Sequence, residues 1–298
     1  MTTHTQPEPK SVQISTSTEG ITTITLNRPY RRNAVDGPTA QKLTDAFLSF
    51  EADQSQKVCV LHGTGGTFCA GFDLHEVAKY ESQTQPHSQK EDDSSSTSSS
   101  TYNGPRIATH ERVQGRNMGP IGPSRMIIPK PVIAAVSGFA VAGGLELSLI
   151  ADIRVAEEDA IFGVFCRRWG VPLIDGGTVR LQAIIGLGRA LDMILTGRAV
   201  GAEEALSMGL ANRVVGKGKA LDEAMRIARQ LVRFPQGCMN VDRASCYHAA
   251  FEAGSFEGAL GFEYDHGVEV IEQESLKGAA RFSAGAGRHG RFDCEGNI

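Results

Sequence analysis

Two short apolar runs constrain this chain more than any other feature. Val58-Cys59-Val60-Leu61 and Val132-Ile133-Ala134-Ala135-Val136 show no alternation of apolar and polar residues. An extended segment of this kind is apolar on both sides and must be covered on both faces, as a central strand of a parallel sheet is. Parallel neighbours require crossover connections, usually helices. The β-branched segment ITTITL at 21–26 ends at Asn27-Arg28-Pro29 and reads as an earlier strand. Pro38, followed by Leu43, Ala46, Phe47 and Phe50 at helical spacing, predicts the crossover helix. Strand, helix, strand places the chain in the α/β class.

The second run is launched by Pro129-Lys130-Pro131, which stops any helix. Beyond it the pattern predicts a loop from Gly138, a helix from Gly143-Gly144, and short strands at 153–156 and 161–162. After Gly177 the sequence reads mainly helical, with three-four spacing over 178–185, 189–195, 202–208, 220–233 and 255–276. The expected organisation is a flexible tail at 1–14, a core at 15–210 and a helical region at 211–298. Between 79 and 118 the composition shifts to Ser, Gln, Thr and Asp, with a Ser/Thr run at 94–100. Such a stretch cannot bury enough apolar surface to order itself, so it predicts a disordered insertion. A long insertion inside a domain is tolerable because closure entropy grows only logarithmically with its length.

Several function classes are disfavoured early. A formal charge of -4 over 298 residues gives no basic field for nucleic acid. No apolar run reaches the roughly 18 to 20 residues of a spanning helix, and the first ten residues lack the apolar core of a signal peptide, so no membrane partner is expected. The cysteines at 59, 69, 166, 238, 246 and 294 form no CxxC pair. They read as free thiols in a reducing compartment, hence a cytoplasmic location. The histidines show no metal spacing, so no metal is expected. Gly63-Thr64-Gly65-Gly66-Thr67 is followed by Phe68 where a dinucleotide fingerprint needs glycine, and neither a P-loop nor a nucleophile elbow is found.

What remains is a pair of glycine-bearing turns, each opening a helix: FCAGFDL at 68–74 and SGFAVAGGLEL at 137–147. Backbone N–H groups at a helix start are unsatisfied, so two such turns can donate to an oxygen that acquires negative charge. The plainer alternative is that the glycines only permit tight turns and close packing.

On these residues the sequence resembles the crotonase family, the enoyl-CoA hydratases and isomerases. The resemblance rests on ITLNRPYRRNA at 24–34, FCAGFDLHE at 68–76, KPVIAAVSGFAVAGGLELSLIA at 130–151, and 175–209 with its Leu195-Thr196-Gly197-Arg198 segment. It implies a spiral of strand-strand-helix turns with a C-terminal helical trimerisation region, giving a homotrimer or a dimer of trimers. It also implies an acyl-CoA thioester as substrate, with no cofactor beyond its CoA moiety. Carried onto matching positions, the thioester carbonyl would sit between the amides of Phe72 and Gly143. CoA would be held at Arg31, Arg32 and Ala34, and at Ala70, Gly71, Asp73 and Leu74.

Glu146 falls on the family's first catalytic glutamate; the alternative for it is a solvated helix face. The second glutamate of ordinary hydratases is replaced by Cys166, and a neutral thiol is no substitute for a carboxylate base. Asp175, in Leu173-Ile174-Asp175-Gly176-Gly177-Thr178, resembles the Asp of dienoyl-CoA isomerases. It could equally cap a helix. Cys166 and Trp169 are expected to line the pocket. Two classes stay open: a hydratase or isomerase working through Glu146 and Asp175, or a crotonase-fold protein that binds CoA or protein without chemistry.

Overall fold

The computed structural model describes residues 10–75, 78 and 112–285. One sheet has six strands in the order β1 (Val12–Thr16), β2 (Ile21–Leu26), β3 (Val58–Gly63), β4 (Val132–Val136), β6 (Ile153–Glu157) and β9 (Arg213–Val215). All pairs are parallel except β1 with β2. A second, three-stranded sheet joins β5 (Phe139–Val141), β7 (Ile161–Gly163) and β8 (Ala199–Gly201).

The unbroken apolar runs are covered on both faces, as their sequence requires. Cys59, Leu61, Ala134 and Val136 join a large core with Leu43, Phe47 and Phe50 of α1 (Gly37–Ala52). Val58, Val60, Ile133 and Ala135 face the other way, onto Ala224, Ile227 and Ala228 of α6 (Ala220–Leu231). Adjacent residues serve opposite layers because strand side chains alternate. Asp36 caps α1 by accepting from the Thr39 N–H at 2.9 Å. Its far end is closed by Lys130, whose ammonium donates to the carbonyls of Phe50, Asp53 and Gln56 at 2.7–2.9 Å. The Pro-Lys-Pro segment therefore both starts β4 and ends α1.

The remaining helices are α2 (Gly143–Ser148), α3 (Gly177–Ile185), α4 (Leu187–Thr196), α5 (Ala202–Ser207), α7 (Gln236–Phe251), α8 (Phe256–Val270) and α9 (Leu276–Ser283). A π-helical turn at Ile271–Ser275 separates the last two, so the single helix expected over 255–276 is divided. Helix α7 was not among the expected segments, its apolar residues, Met239, Val241, Tyr247 and Phe251 among them, being spread around the helix rather than gathered on one face. The three-residue strands β5, β8 and β9 are too short to show a period.

Two boundaries are corrected. The tail expected at 1–14 already contains β1, a mostly exposed edge strand whose ladder hydrogen bonds, rather than apolar content, hold it to β2. Of the insertion expected at 79–118, residues 79–111 lie outside the described residues. The part at 112–118 packs on the fold: Arg116 pairs with Glu51, and Met118 lies against the core. No helix among the described residues is long and apolar enough to cross a membrane.

Candidate active site

The two glycine turns lie against each other. Cys69 bridges to Ala140 and Phe72 to Val35 in single parallel bridges, which fixes the 68–72 turn between β5 and the segment leading into α1. The Phe72 and Gly143 N–H groups donate to no acceptor among the described residues. They are neighbours across a tight gap. A Cβ at Gly71, where φ is +98°, would stand 2.8 Å from the Gly143 nitrogen, and one at Gly144 would stand 1.9 Å from the Cys69 carbonyl oxygen. Glycine at 71 keeps the space before the Gly143 amide open, and glycine at 144 lets α2 dock on the first turn. Ala142 enters α2 at φ +53°, a conformation L residues rarely adopt, and its N–H is held by the Gly163 carbonyl at 2.8 Å.

Beside this gap lie two buried carboxyl groups. Glu146, on α2, and Asp175, just before α3, are each 3% exposed, so the solvated-face alternative for Glu146 is excluded. Glu146 Oε1 accepts from the N–H groups of Asp175 and Gly177 at 2.9 and 2.8 Å. Glu146, not Asp175, thus satisfies the α3 N-terminus. The capping alternative for Asp175 fails, because Gly176 is the N-cap and no side chain caps there. Asp175 Oδ1 instead accepts from the Ile121 N–H at 3.2 Å and from the Ser124 hydroxyl. The other oxygens, Oε2 and Oδ2, accept no hydrogen bond among the described residues.

Burial, then the neighbouring Asp175 charge, pushes Glu146 up to about 8. Burial raises Asp175 as well, against the opposing pull of Ser124, Ile121, Arg125 and Arg180. Two adjacent desolvated carboxyls cannot both ionise cheaply, so near neutrality the pair holds a proton. Cys166 is buried close by; burial and the Glu146 charge raise its thiol, so it stays neutral.

The other expected positions divide. Arg31 and Arg32 reach the surface, and the Arg32 guanidinium lies 5.9 Å from the Phe139 ring centroid. Ala70 is half-buried and Leu74 exposed, while Ala34 and Gly71 are buried in the turn. The Asp73 carboxylate faces inward, accepting from the His75 N–H at 3.1 Å and pairing with Arg28 at 3.5 Å, so its side chain braces the turn. Trp169, expected to line the pocket, is 71% exposed at the end of a surface 3-10 turn, Phe165–Trp169.

Sequence reasoning missed Arg28 and Ser124, and the bracing part that Asn33 plays. Arg28 ties Ala34, Asp36 and Asp73 together. Asn33 reaches the carbonyls of Thr64 and Thr67 at 2.9 and 2.6 Å. Ser124 follows Gly119-Pro120-Ile121-Gly122-Pro123, a turn-rich string that could have marked a built loop.

A family model described as enoyl-CoA hydratase/isomerase matches residues 16–120 and 125–282. The chain belongs to that family, and is an enzyme of the enoyl-CoA hydratase/isomerase type acting on acyl-CoA. Among its relatives is the enoyl-CoA hydratase EchA19 of Mycobacterium tuberculosis, 37% identical over 205 residues, covering 69% of this chain and 68% of that one. The carnitinyl-CoA dehydratase of Escherichia coli K12 is 34% identical over 214 residues and covers 70% of each. The crystal structure of enoyl-CoA hydratase EchA1 from Mycobacterium marinum superposes with a TM-score of 0.76 at 28% identity, covering 92% of this chain and 96% of that one.

Proposed function

We propose that the chain hydrates an enoyl-CoA thioester, with Phe72 and Gly143 as oxyanion donors and Glu146 and Asp175 as the acid-base pair. The observation that carries this is the meeting of two amide donors, which no acceptor among the described residues uses, with two buried carboxyls. Asp175, the carboxylate with the stronger donors, takes a proton from water as the water oxygen bonds to C3. The displaced π electrons move through C2 to the thioester oxygen, where both amides stabilise the enolate; one such donor typically contributes about 2.7–4 kcal/mol. Protonated Glu146 then delivers its proton to C2 as the enolate collapses.

Cys166, where ordinary hydratases carry a second glutamate, favours isomerisation as the other reading, since a proton shuttle needs no activated water. CoA would lie along Arg31, Arg32, Ala34, Ala70, Gly71 and Leu74, and the chemistry asks for no cofactor beyond the CoA moiety. A homotrimer or dimer of trimers, in the cytoplasm, completes the proposal. Apolar side chains left exposed on the C-terminal helices, Phe256, Tyr264, Leu276 and Phe282, support self-association, and the free cysteines among the described residues support a reducing compartment.

The test is a series of 2-enoyl-CoA thioesters of rising chain length, with product analysis, run on wild type, Glu146→Gln and Asp175→Asn. Loss of about 10²- to 10⁴-fold in turnover with thioester binding retained is expected of each variant. Full turnover in Glu146→Gln would overturn the mechanism.

A further inference from the structure

The two carboxyls are chemically alike and buried alike, so an ordered acid and base require something that breaks their symmetry. The segment at 119–126 does so. Gly119 and Gly122 exchange backbone hydrogen bonds at 2.9 Å, closing a tight loop that presents the Ile121 N–H and the Ser124 hydroxyl to Asp175 Oδ1. Ser124 is fully buried. The fit leaves no slack, since a Cβ at Gly119 would stand 2.4 Å from Asp175 Oδ1 and 2.3 Å from the Ser124 Oγ. Arg180 of α3 clamps the same segment by donating to the carbonyls of Ser124 and Met126. Among the described residues Glu146 has no hydroxyl donor, only the two backbone N–H groups of Asp175 and Gly177.

We propose that Ser124 is a positioning residue that decides which carboxyl carries the shared proton: by donating its hydroxyl hydrogen to Asp175 it keeps Asp175 ionised as base and leaves the proton on Glu146 as acid. The proposal rests on the acid-base reading above. Other groups facing the pair are Arg125, Arg180 and the thiol of Cys69 around Asp175, and Arg180 and the thiol of Cys166 around Glu146. Both thiols are held neutral by burial, and Arg180 acts on both carboxyls. Arg125 favours Asp175 ionisation as well, but only as a charge beside it, whereas the Ser124 hydroxyl bonds Oδ1 directly.

A readout independent of turnover tests this: carboxyl ¹³C titration of the free protein, assigned with Glu146→Gln and Asp175→Asn. In wild type Asp175 should titrate below Glu146. In Ser124→Ala the Asp175 midpoint should rise by about 1–2 pH units, the effect of losing one donor to a charged acceptor, and the Glu146 midpoint should fall. The acid limb of turnover should move to higher pH by a similar amount. Ser124→Thr, which retains the hydroxyl, should restore the wild-type order. Adding Ser124→Ala to Asp175→Asn should change neither the Glu146 midpoint nor the pH profile that remains. Unchanged midpoints in Ser124→Ala, or an equal effect of that substitution with Asp175 already removed, would overturn the proposal. Absence of turnover with every thioester, with the two midpoints shifting as expected, would instead count against the hydration reading alone.

Discussion

Replacing Glu146 by Gln removes a titration while leaving acceptors in place, so its effect on stability should depend on pH. The Gln oxygen can accept from the Asp175 and Gly177 N–H groups as Glu146 Oε1 does. In the wild type the carboxyl rises from 4.5 to about 8 on folding. A raised folded value means that stability is fully present below the unfolded value near 4.5 and is lost as pH rises through about 8. At about 1.4 kcal/mol per pH unit the displacement sets a ceiling of about 5 kcal/mol. Because the proton belongs to the pair, Asp175 absorbs part of this, and about half the ceiling, roughly 2–3 kcal/mol, is the expected relative gain of the variant between pH 5 and 8.5. Parallel urea unfolding of both proteins across that range measures it. The two should be nearly equal near pH 4.5, diverge in favour of Gln as pH rises from about 5 to 8, and run parallel above that. A difference that stays constant with pH would refute the reasoning, since it would mean that Glu146 ionises in the folded state as readily as in the unfolded one.

Three further outcomes are expected. Gly144→Ala, whose Cβ would stand 1.9 Å from the Cys69 carbonyl, should cost more than about 3 kcal/mol by thermal melting. The control Gly37→Ala, with nothing within 4 Å of the added Cβ, should be close to neutral in the same melt. Arg28→Met strands the buried Asp73 and its partner Asp36, and a loss of about 3–5 kcal/mol in chemical unfolding is expected. A short enoyl-CoA should bind far more tightly than the corresponding free acid in calorimetry, because only the thioester offers both a neutral carbonyl oxygen for the Phe72 and Gly143 amides and a nucleotide; equal affinities would contradict the oxyanion assignment.

The sequence alone determined those parts of the molecule whose physics is local or periodic. Val58 to Leu61 and Val132 to Val136 could only be strands covered on both faces, and they are, because an apolar run of that length leaves no polar side for water. Pro38 announced the start of α1, and the glycines at 71, 143 and 144 announced a close approach, because only glycine tolerates such backbone and spacing. Tertiary structure decided the rest. Trp169 was expected to line the pocket and is exposed, since apolar identity does not say which face of a short turn points inward. Asp73 looked like a ligand contact and braces Arg28 from 45 residues away. Asp175 looked equally like a helix cap, yet Glu146, distant in sequence, took that task and left Asp175 to Ser124 and Ile121. No spacing rule links positions 121, 124, 146 and 175. Which carboxyl meets which donor depends on how α2, α3 and the 119–126 segment pack, and the field that raises both carboxyls exists only once that packing has removed the water.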